Sequence, residues 1–342
     1  MKEIFTCSLF EDENFLPKEN FDVHQNEALH IEGSNFSKKE VSYKCHWKQK
    51  KDFDFEKPFV IIPIKDNSKL LQFTFSNFKL KEFFDFVNVI VVDDRSEEDI
   101  EKICDQYSAS YLRIDNDKGF NFSMLNNIPA FLIHKLGGKK IIFWNSDLWL
   151  DELEYFNTFT KRHEEEGSTI SGSKLLYPFE SLHNTEDSIN ITKHFPHMGK
   201  GAYKGTVQFG GSRWVPAQNG KGICFFPIHY KRFANKQDVR VNCDTGTEFV
   251  TGALQLIDLG WFIESGGFNP SLSKVLQDVD LCLRAVEQQK KVMYFGKDIH
   301  FLHDESYNHY SNRNEEKMDN QFRSDNELFV KIWKDKIGHL IF

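Results

Sequence analysis

The residues Asn145-Ser146-Asp147 offer the first recognisable chemistry, because they end the apolar run Ile141 to Trp144 with an amide and a carboxylate two positions apart. Oxygen donors spaced this way at the end of a buried strand make a corner that can hold a hard cation, and open α/β sheets bind ligands at the carboxyl ends of their strands. Ions of the Mg²⁺ type use one or two protein carboxylates and complete their shell with substrate phosphates and water. The corner therefore points to a metal-bridged diphosphate, and so to a nucleotide-linked substrate. A polar strand-to-loop turn uses the same residue types, so the reading depends on what else the chain carries.

A second acidic position stands in Gln277-Asp278-Val279-Asp280-Leu281-Cys282-Leu283-Arg284. Asp280 and Arg284 lie four apart and can pair on a helix surface, whereas Asp278 falls off that face. A carboxylate at a helix start facing a cleft can take a proton from an incoming hydroxyl, although the helix dipole alone also favours an acid there. His303 suits a Mn²⁺-type ion as a further ligand, with His300 and His309 near enough in sequence to compete. Asp93 and Asp94 end another apolar run, where a carboxylate can accept the N3–H of a uracil or bond a ribose hydroxyl. Pro63 and Ile64 end a third, with backbone groups able to flank a base. No Gly-rich dinucleotide or P-loop cradle follows any strand, so phosphate charge must be met by a cation or by side chains such as Lys118.

These groups need a sheet to carry them. FVIIPI (59–64) and VNVIVVDD (87–94) are continuous apolar runs, as expected of strands covered on both faces. Ser96-Glu97-Glu98-Asp99 reads as a capping box ahead of Ile100, Ile103, Cys104 and Tyr107 at helical spacing. SYLRID (110–115), a helix from about Phe122 to Leu136 and IIFWN (141–145) continue an alternation that implies a largely parallel sheet flanked by helices. Residues 177–247, dense in Gly and Pro, break the rhythm and read as one long irregular segment. Within it Tyr203, Trp214, Phe225 and Phe226 could stack on sugar faces or simply pack a loop. Order returns over 248–258, with a turn at Gly266-Gly267, a helix from about Asp278 to Gln289 and strands at 291–295 and 299–302. The division that follows is an extension (1–57), an α/β domain (58–310) and a helical tail (311–342).

The 342 residues suffice for a sizeable core, and a net charge of −8 argues against a general nucleic-acid binder. Cys7, Cys45, Cys104, Cys224, Cys243 and Cys282 are scattered without metal-like spacing, as reduced thiols would be. Codon bias accounts for the 34 Phe as well as an aromatic binding surface would. No stretch reaches the roughly 18 apolar residues of a membrane span, and the N-terminus lacks signal-peptide features. The expectation is a cytoplasmic chain. Its C-terminal helix is open to covering the sheet, docking a partner or making peripheral contact at the inner membrane face.

The order of these motifs resembles the family 2 glycosyltransferases, which have the GT-A fold, from about Phe59 to His309. The resemblance rests on VIIPIKDNSKLL, on Val92-Asp93-Asp94-Arg95-Ser96, on Asp117-Lys118-Gly119-Phe120 with Asn126 downstream, and on Asn145-Ser146-Asp147. It continues through Thr251-Gly252-Ala253, Gly266-Gly267-Phe268, QDVDLCLR and His303 with Ser306. It implies that Pro63, Ile64, Asp93, Asp94, Lys118, Gly119, Asn126, Asn145 and Ser146 serve the nucleotide. Asp147 and His303 would hold a divalent cation, Mn²⁺ or Mg²⁺, and Asp278 would be the general base. Thr251, Gly252, Ala253 and Gln277 would stand near the donor or acceptor sugar, with Trp214 beside them. The implied reaction is inverting, hexosyl-type transfer from a nucleoside-diphosphate sugar, commonly UDP-linked, to a hydroxyl of a glycan or lipid-linked acceptor in bacterial surface polysaccharide synthesis.

Three positions depart from the family pattern. Asn145 replaces the first carboxylate of the metal motif, Gln277 replaces a Glu before the base, and one extra residue after Gly119 leaves Asn126 and Asn127 both open. The first two keep a second reading in play, a non-catalytic carbohydrate- or nucleotide-binding protein on the same scaffold. A sugar-nucleotide pyrophosphorylase would need a Gly-rich loop after the first strand, which KDNSKLL lacks.

Overall fold

In the computed structural model, which describes residues 3–8, 27–32, 35–39, 42–115, 119–180, 202–219, 222–305 and 315–341, the alternation builds a ten-stranded sheet. Its order is Glu3–Ser8, Ser42–Lys48, Ser110–Asp115, Asn88–Asp93, Phe59–Ile64, Lys140–Trp144, Leu254–Asp258, Ile170–Ser173, Val292–Phe295 and Asp244–Gly246. Ser42–Lys48, Leu254–Asp258 and Asp244–Gly246 run against the other seven, so the sheet is mostly parallel. Two of these strands, Glu3–Ser8 and Ser42–Lys48, come from the segment before Pro58.

Every residue of Phe59–Ile64 and Asn88–Asp93 is buried, the physical counterpart of their unbroken apolar runs. Adjacent residues Phe143 and Trp144 point to opposite faces of their strand. Phe143 meets Phe262 and Phe268 at 5.2 and 4.8 Å between ring centres, and Trp144 meets Phe78, Phe83 and Phe301 at 5.4, 5.4 and 5.7 Å. The sheet thus carries an aromatic layer on each side, one beneath helix Ser68–Leu80 and one beneath helices Phe122–Leu136 and Leu259–Glu264. Much of the abundant Phe is core.

Two local expectations need correction. The capping box at Ser96–Asp99 does not form: Asp99 itself caps helix Ile100–Tyr107, accepting the Lys102 N–H at 3.1 Å. Ser96 is drawn elsewhere, its N–H donating to Asp93 at 2.8 Å and its hydroxyl accepting from the Asp66 N–H at 2.6 Å. Nor is 177–247 irregular throughout. It holds strand Val207–Phe209 and a hairpin of Ser212–Asn219 against Gly222–His229, in which regular cross-strand pairing overrides the Gly and Pro content.

A second, four-stranded sheet matters most for the site. Its order is Val207–Phe209, Leu175–Leu176, Phe301–His303 and Leu148–Trp149. It stitches the segment after Asp147 to the segment bearing His303. The tail forms helices Glu315–Trp333 and Ile337–Ile341, and no described helix is long and apolar enough to cross a membrane.

Candidate active site

Strands Phe59–Ile64 and Lys140–Trp144 end at one rim of the main sheet, and antiparallel Leu254–Asp258 starts there, with Leu254 opposite Trp144. The Asn145 N–H donates to the Ala253 carbonyl at 3.0 Å, so the polar corner and the Thr251-Gly252-Ala253 segment sit side by side. The corner is braced from below by the Thr74 hydroxyl, which donates to the Ser146 carbonyl at 2.7 Å. In the small sheet His303 faces Leu148, and the Asp304 N–H donates to the Asp147 carbonyl at 2.9 Å. His303 Nε2 therefore lies 3.2 Å from Asp147 Oδ1, with both side chains almost fully buried. Nδ1 makes no hydrogen bond, and Nε2 has the Asp147 carboxylate within ion-pair distance. Burial pulls the His303 pKa down, but the carboxylates of Asp147, Glu305 and Asp304 together outweigh it and the net direction is up.

Asp278 approaches the same space from helix Gln277–Glu287. That helix starts without a side-chain cap after Leu276, whose φ of 66° is left-handed and strained for a branched residue. Asp278 Oδ2 accepts the Gly252 N–H at 2.6 Å and Oδ1 accepts the Val279 N–H at 2.9 Å. Gly252 is required by this approach, since a Cβ there would stand 3.1 Å from the Asp278 Cβ. Burial raises the Asp278 pKa above its ordinary value, and the two N–H groups only partly offset that. The tail helix holds the loop in front: buried Asp325 accepts the Lys274 and Val275 N–H groups through one oxygen, at 2.8 and 3.1 Å. Trp333 Nε1 donates to Asp280 at 2.9 Å, and Arg284 bridges Asp280 to the Ser265 and Gly267 carbonyls. The expected Asp280–Arg284 pair forms, but in the interior rather than on the surface.

Both ends open on one cavity of about 530 Å³, lined by Pro63, Ile64, Asn145, Ser146, Asp147, Thr251, Gly252, Ala253, Gln277, Asp278 and His303. Other expected residues stand apart from it. Asp93 is buried and spent inside the protein, accepting from the Ser96 N–H, the Tyr111 hydroxyl at 2.6 Å and Arg113 at 3.1 Å. Asp94, beside it, keeps one carboxylate oxygen buried without a hydrogen bond, and its N–H donates to the Ile64 carbonyl at 2.8 Å. Burial raises its pKa against the pull of Lys65 and Arg95. Asn126 donates to Phe122 within its own helix, whereas Asn127 clamps Phe268 by both its amide atoms and so secures the Gly266-Gly267 turn. Gly119 has a φ of 94° and does not line the cavity. Trp214 packs edge-on against Phe249 at 5.4 Å and stops short of the space. His300 is engaged by Asp151 at 2.8 Å, and Lys118, Ser306 and His309 lie outside the described residues.

The cavity also has walls to which the sequence motifs assigned no role. Lys65, Phe120, Phe122 and Lys274 line it near the rim, and Gln208, Pro227, His229 and Glu305 line it through the small sheet and hairpin. His303-Asp304-Glu305 was a usable signal for Glu305, because a group two positions from a ligand candidate tends to share its site. Gln208 and His229 had none, since strand pairing alone brings them in.

No protein-family model matches the chain, and no curated protein matches it in sequence. Solved structures match in shape. GalNAc-T7 with UDP, GalNAc and Mn²⁺ matches at 11% identity and a TM-score of 0.50, over 72% of this chain and 43% of that one. The chain has the GT-A fold. It spans less than half the length of that GalNAc-T7 structure. The mannosyltransferase PcManGT from Pyrobaculum calidifontis, in complex with GDP-Man and Mn²⁺, matches at 11% identity and a TM-score of 0.43, over 74% of this chain and 58% of that one. S. aureus TarS 1-349 matches at 12% identity and a TM-score of 0.45, over 82% and 73%.

Among the described residues no cluster of three or more His, Cys, Asp or Glu could hold a metal by itself. Asp147 and His303 nonetheless fit as a pair. Two ligands of one octahedral ion, each ~2.1 Å from it, stand ~3.0 Å apart, and the observed separation is 3.2 Å. The buried Nδ1 of His303, which makes no hydrogen bond, is the second sign, because buried polar atoms without partners are rare. Diphosphate oxygens and water would supply the remaining ligands.

Proposed function

We propose that this protein is an inverting glycosyltransferase acting on a nucleoside-diphosphate sugar, with UDP the first candidate, and on a hydroxyl of a glycan or lipid-linked acceptor of bacterial surface polysaccharide. One observation carries the reading: Asp147 with His303, and Asp278, line one cavity at the carboxyl rim of the parallel strands. The GalNAc-T7 structure of like fold holds UDP, GalNAc and Mn²⁺, which supports a nucleotide and a cation as ligands of this fold.

The nucleotide base lies against Pro63 and Ile64, and the diphosphate reaches the Asp147–His303 corner. A bound divalent cation would neutralise charge that grows on the departing diphosphate. Asp278 takes the proton of the acceptor hydroxyl. Each of its oxygens accepts one backbone N–H and keeps a second lone-pair direction for that proton. The acceptor oxygen attacks the anomeric carbon from the side opposite the diphosphate. The new C–O bond forms, the bond to the diphosphate breaks, and configuration inverts. A raised pKa suits a base that must hold the proton through the transition state.

The deciding experiment assays release of nucleoside diphosphate from UDP-, GDP- and TDP-sugars with Mn²⁺. Asp278→Asn should slow release by roughly 10²–10⁴-fold while Mn²⁺-dependent nucleotide binding stays within about twofold. Full activity in that variant removes Asp278 from the mechanism. Asn145 and Gln277 favour the non-catalytic reading, which predicts nucleotide binding without any Asp278-dependent release.

A further inference from the structure

The small sheet places a second set of polar groups on the cavity wall. Gln208 is almost fully buried, lines the cavity, and its Oε1 makes no hydrogen bond. Its strand is separated from that of His303 by one strand, Leu175–Leu176, so two strand spacings put the two residues about 10 Å apart. His229 Nδ1 lies 3.2 Å from both the Gln208 side-chain nitrogen and the Gln208 carbonyl oxygen. Glu305 completes the wall, and its charge is matched by the Arg232 guanidinium while it accepts the Tyr177 hydroxyl at 2.7 Å. Burial lowers the His229 pKa to about 4, so this imidazole is neutral at physiological pH.

We infer that Gln208, with His229 and Glu305, forms the subsite for the donor's sugar, and that this sugar is an uncharged, hydroxyl-rich pyranose. The inference rests on the glycosyl-transfer reading. A diphosphate at the Asp147–His303 corner leaves its sugar one bond further on, within reach of the Gln208 wall. A buried amide oxygen without a partner favours a ligand hydroxyl that donates to it, because the unmet acceptor is costly in the empty state. The Gln208–His229 wall presents a neutral amide and a neutral imidazole to the ligand, and the Arg232 guanidinium beside it is already engaged by Glu305, so a sugar carboxylate would lose its hydration there without gaining a cationic partner from that wall.

The test compares UDP, the tightest of UDP-glucose, UDP-galactose and UDP-N-acetylglucosamine, and UDP-glucuronic acid, each titrated with Mn²⁺ into wild type and Gln208→Met. The GDP series replaces these probes if the nucleotide panel selects guanosine. The variant should bind UDP within about twofold of wild type and the neutral donor roughly tenfold more weakly. Wild type should bind the glucuronate roughly tenfold more weakly than the neutral donor. Equal loss for UDP and donor, or no loss for either, overturns the inference, as does a wild type that prefers the glucuronate. Unchanged donor binding and hydrolysis with impaired transfer to acceptor would assign the wall to the acceptor and overturn it too. If Gln208→Met lacks a cooperative melt, His229→Gln decides by the same pattern. A wild type that binds neither UDP nor any donor fails the transfer reading itself, whereas one that binds UDP but gains nothing from a neutral sugar sinks the subsite alone.

Discussion

At Asp278 the proposed base also carries a stability cost. Its folded-state pKa is raised from the ordinary 3.8 because burial penalises the charge. Only the ionised form can accept a proton, so kcat/KM for transfer should fall as pH drops through that raised pKa, and the acid limb should vanish from the residual activity of Asp278→Asn. Linkage gives a second sign. A folded pKa above the unfolded one means that stability is lost as pH rises from 3.8 through the raised value. Asp278→Asn should therefore outlast wild type in urea at neutral pH, with the gap closing as pH approaches 3.8. A variant equally or less stable at neutral pH would mean that the Gly252 and Val279 N–H groups compensate the buried charge fully. The neighbouring Asp93 and Asp94 show how little residue type alone decides. Successive strand residues point to opposite faces, and the fold spends Asp93 on Tyr111 and Arg113 while leaving an oxygen of Asp94 unpaired.

Among the elements, helix Glu315–Trp333 has the least expected part. Asp325 takes two backbone N–H groups of the loop that leads into Leu276 and Asp278, and Trp333 reaches Asp280 in the same first turn as Asp278. This helix braces the loop that leads into Asp278, the proposed base. Asp325→Ala should lower the unfolding free energy by about 1–3 kcal/mol in urea, the usual cost of unsatisfied buried donors. It should also depress kcat for donor hydrolysis more than it raises KM, since the loop positions Asp278 rather than the nucleotide. A parallel rise in KM would place the loop on the donor instead. The polar composition of the tail hid this role, because a buried carboxylate reads in sequence as surface until its partners are seen.

For the whole molecule, the cavity is where distant segments meet: the rim of the main sheet, the small cross-sheet, the hairpin and the braced helix. A ligand spanning them should stabilise the fold as a unit. UDP with Mn²⁺ at a hundred times its Kd should add about 2.7 kcal/mol, a rise of roughly 5 °C in melting midpoint for a chain of this size. Chelation with EDTA should remove most of that gain, and so should His303→Ala. An equal shift without metal would take the cation out of nucleotide binding.

The α/β alternation, the strands buried on both faces and the acidic groups at their ends were legible in the chain, because hydrophobic period and strand-end chemistry are local properties. Asp147 with His303, Gln208 with His229, and Asp325 beneath the Asp278 loop were decided by pairing across long stretches of sequence. Local pattern cannot rank one buried polar residue above another. Burial, register and the absence of a partner do so, and those exist only once the chain has closed on itself.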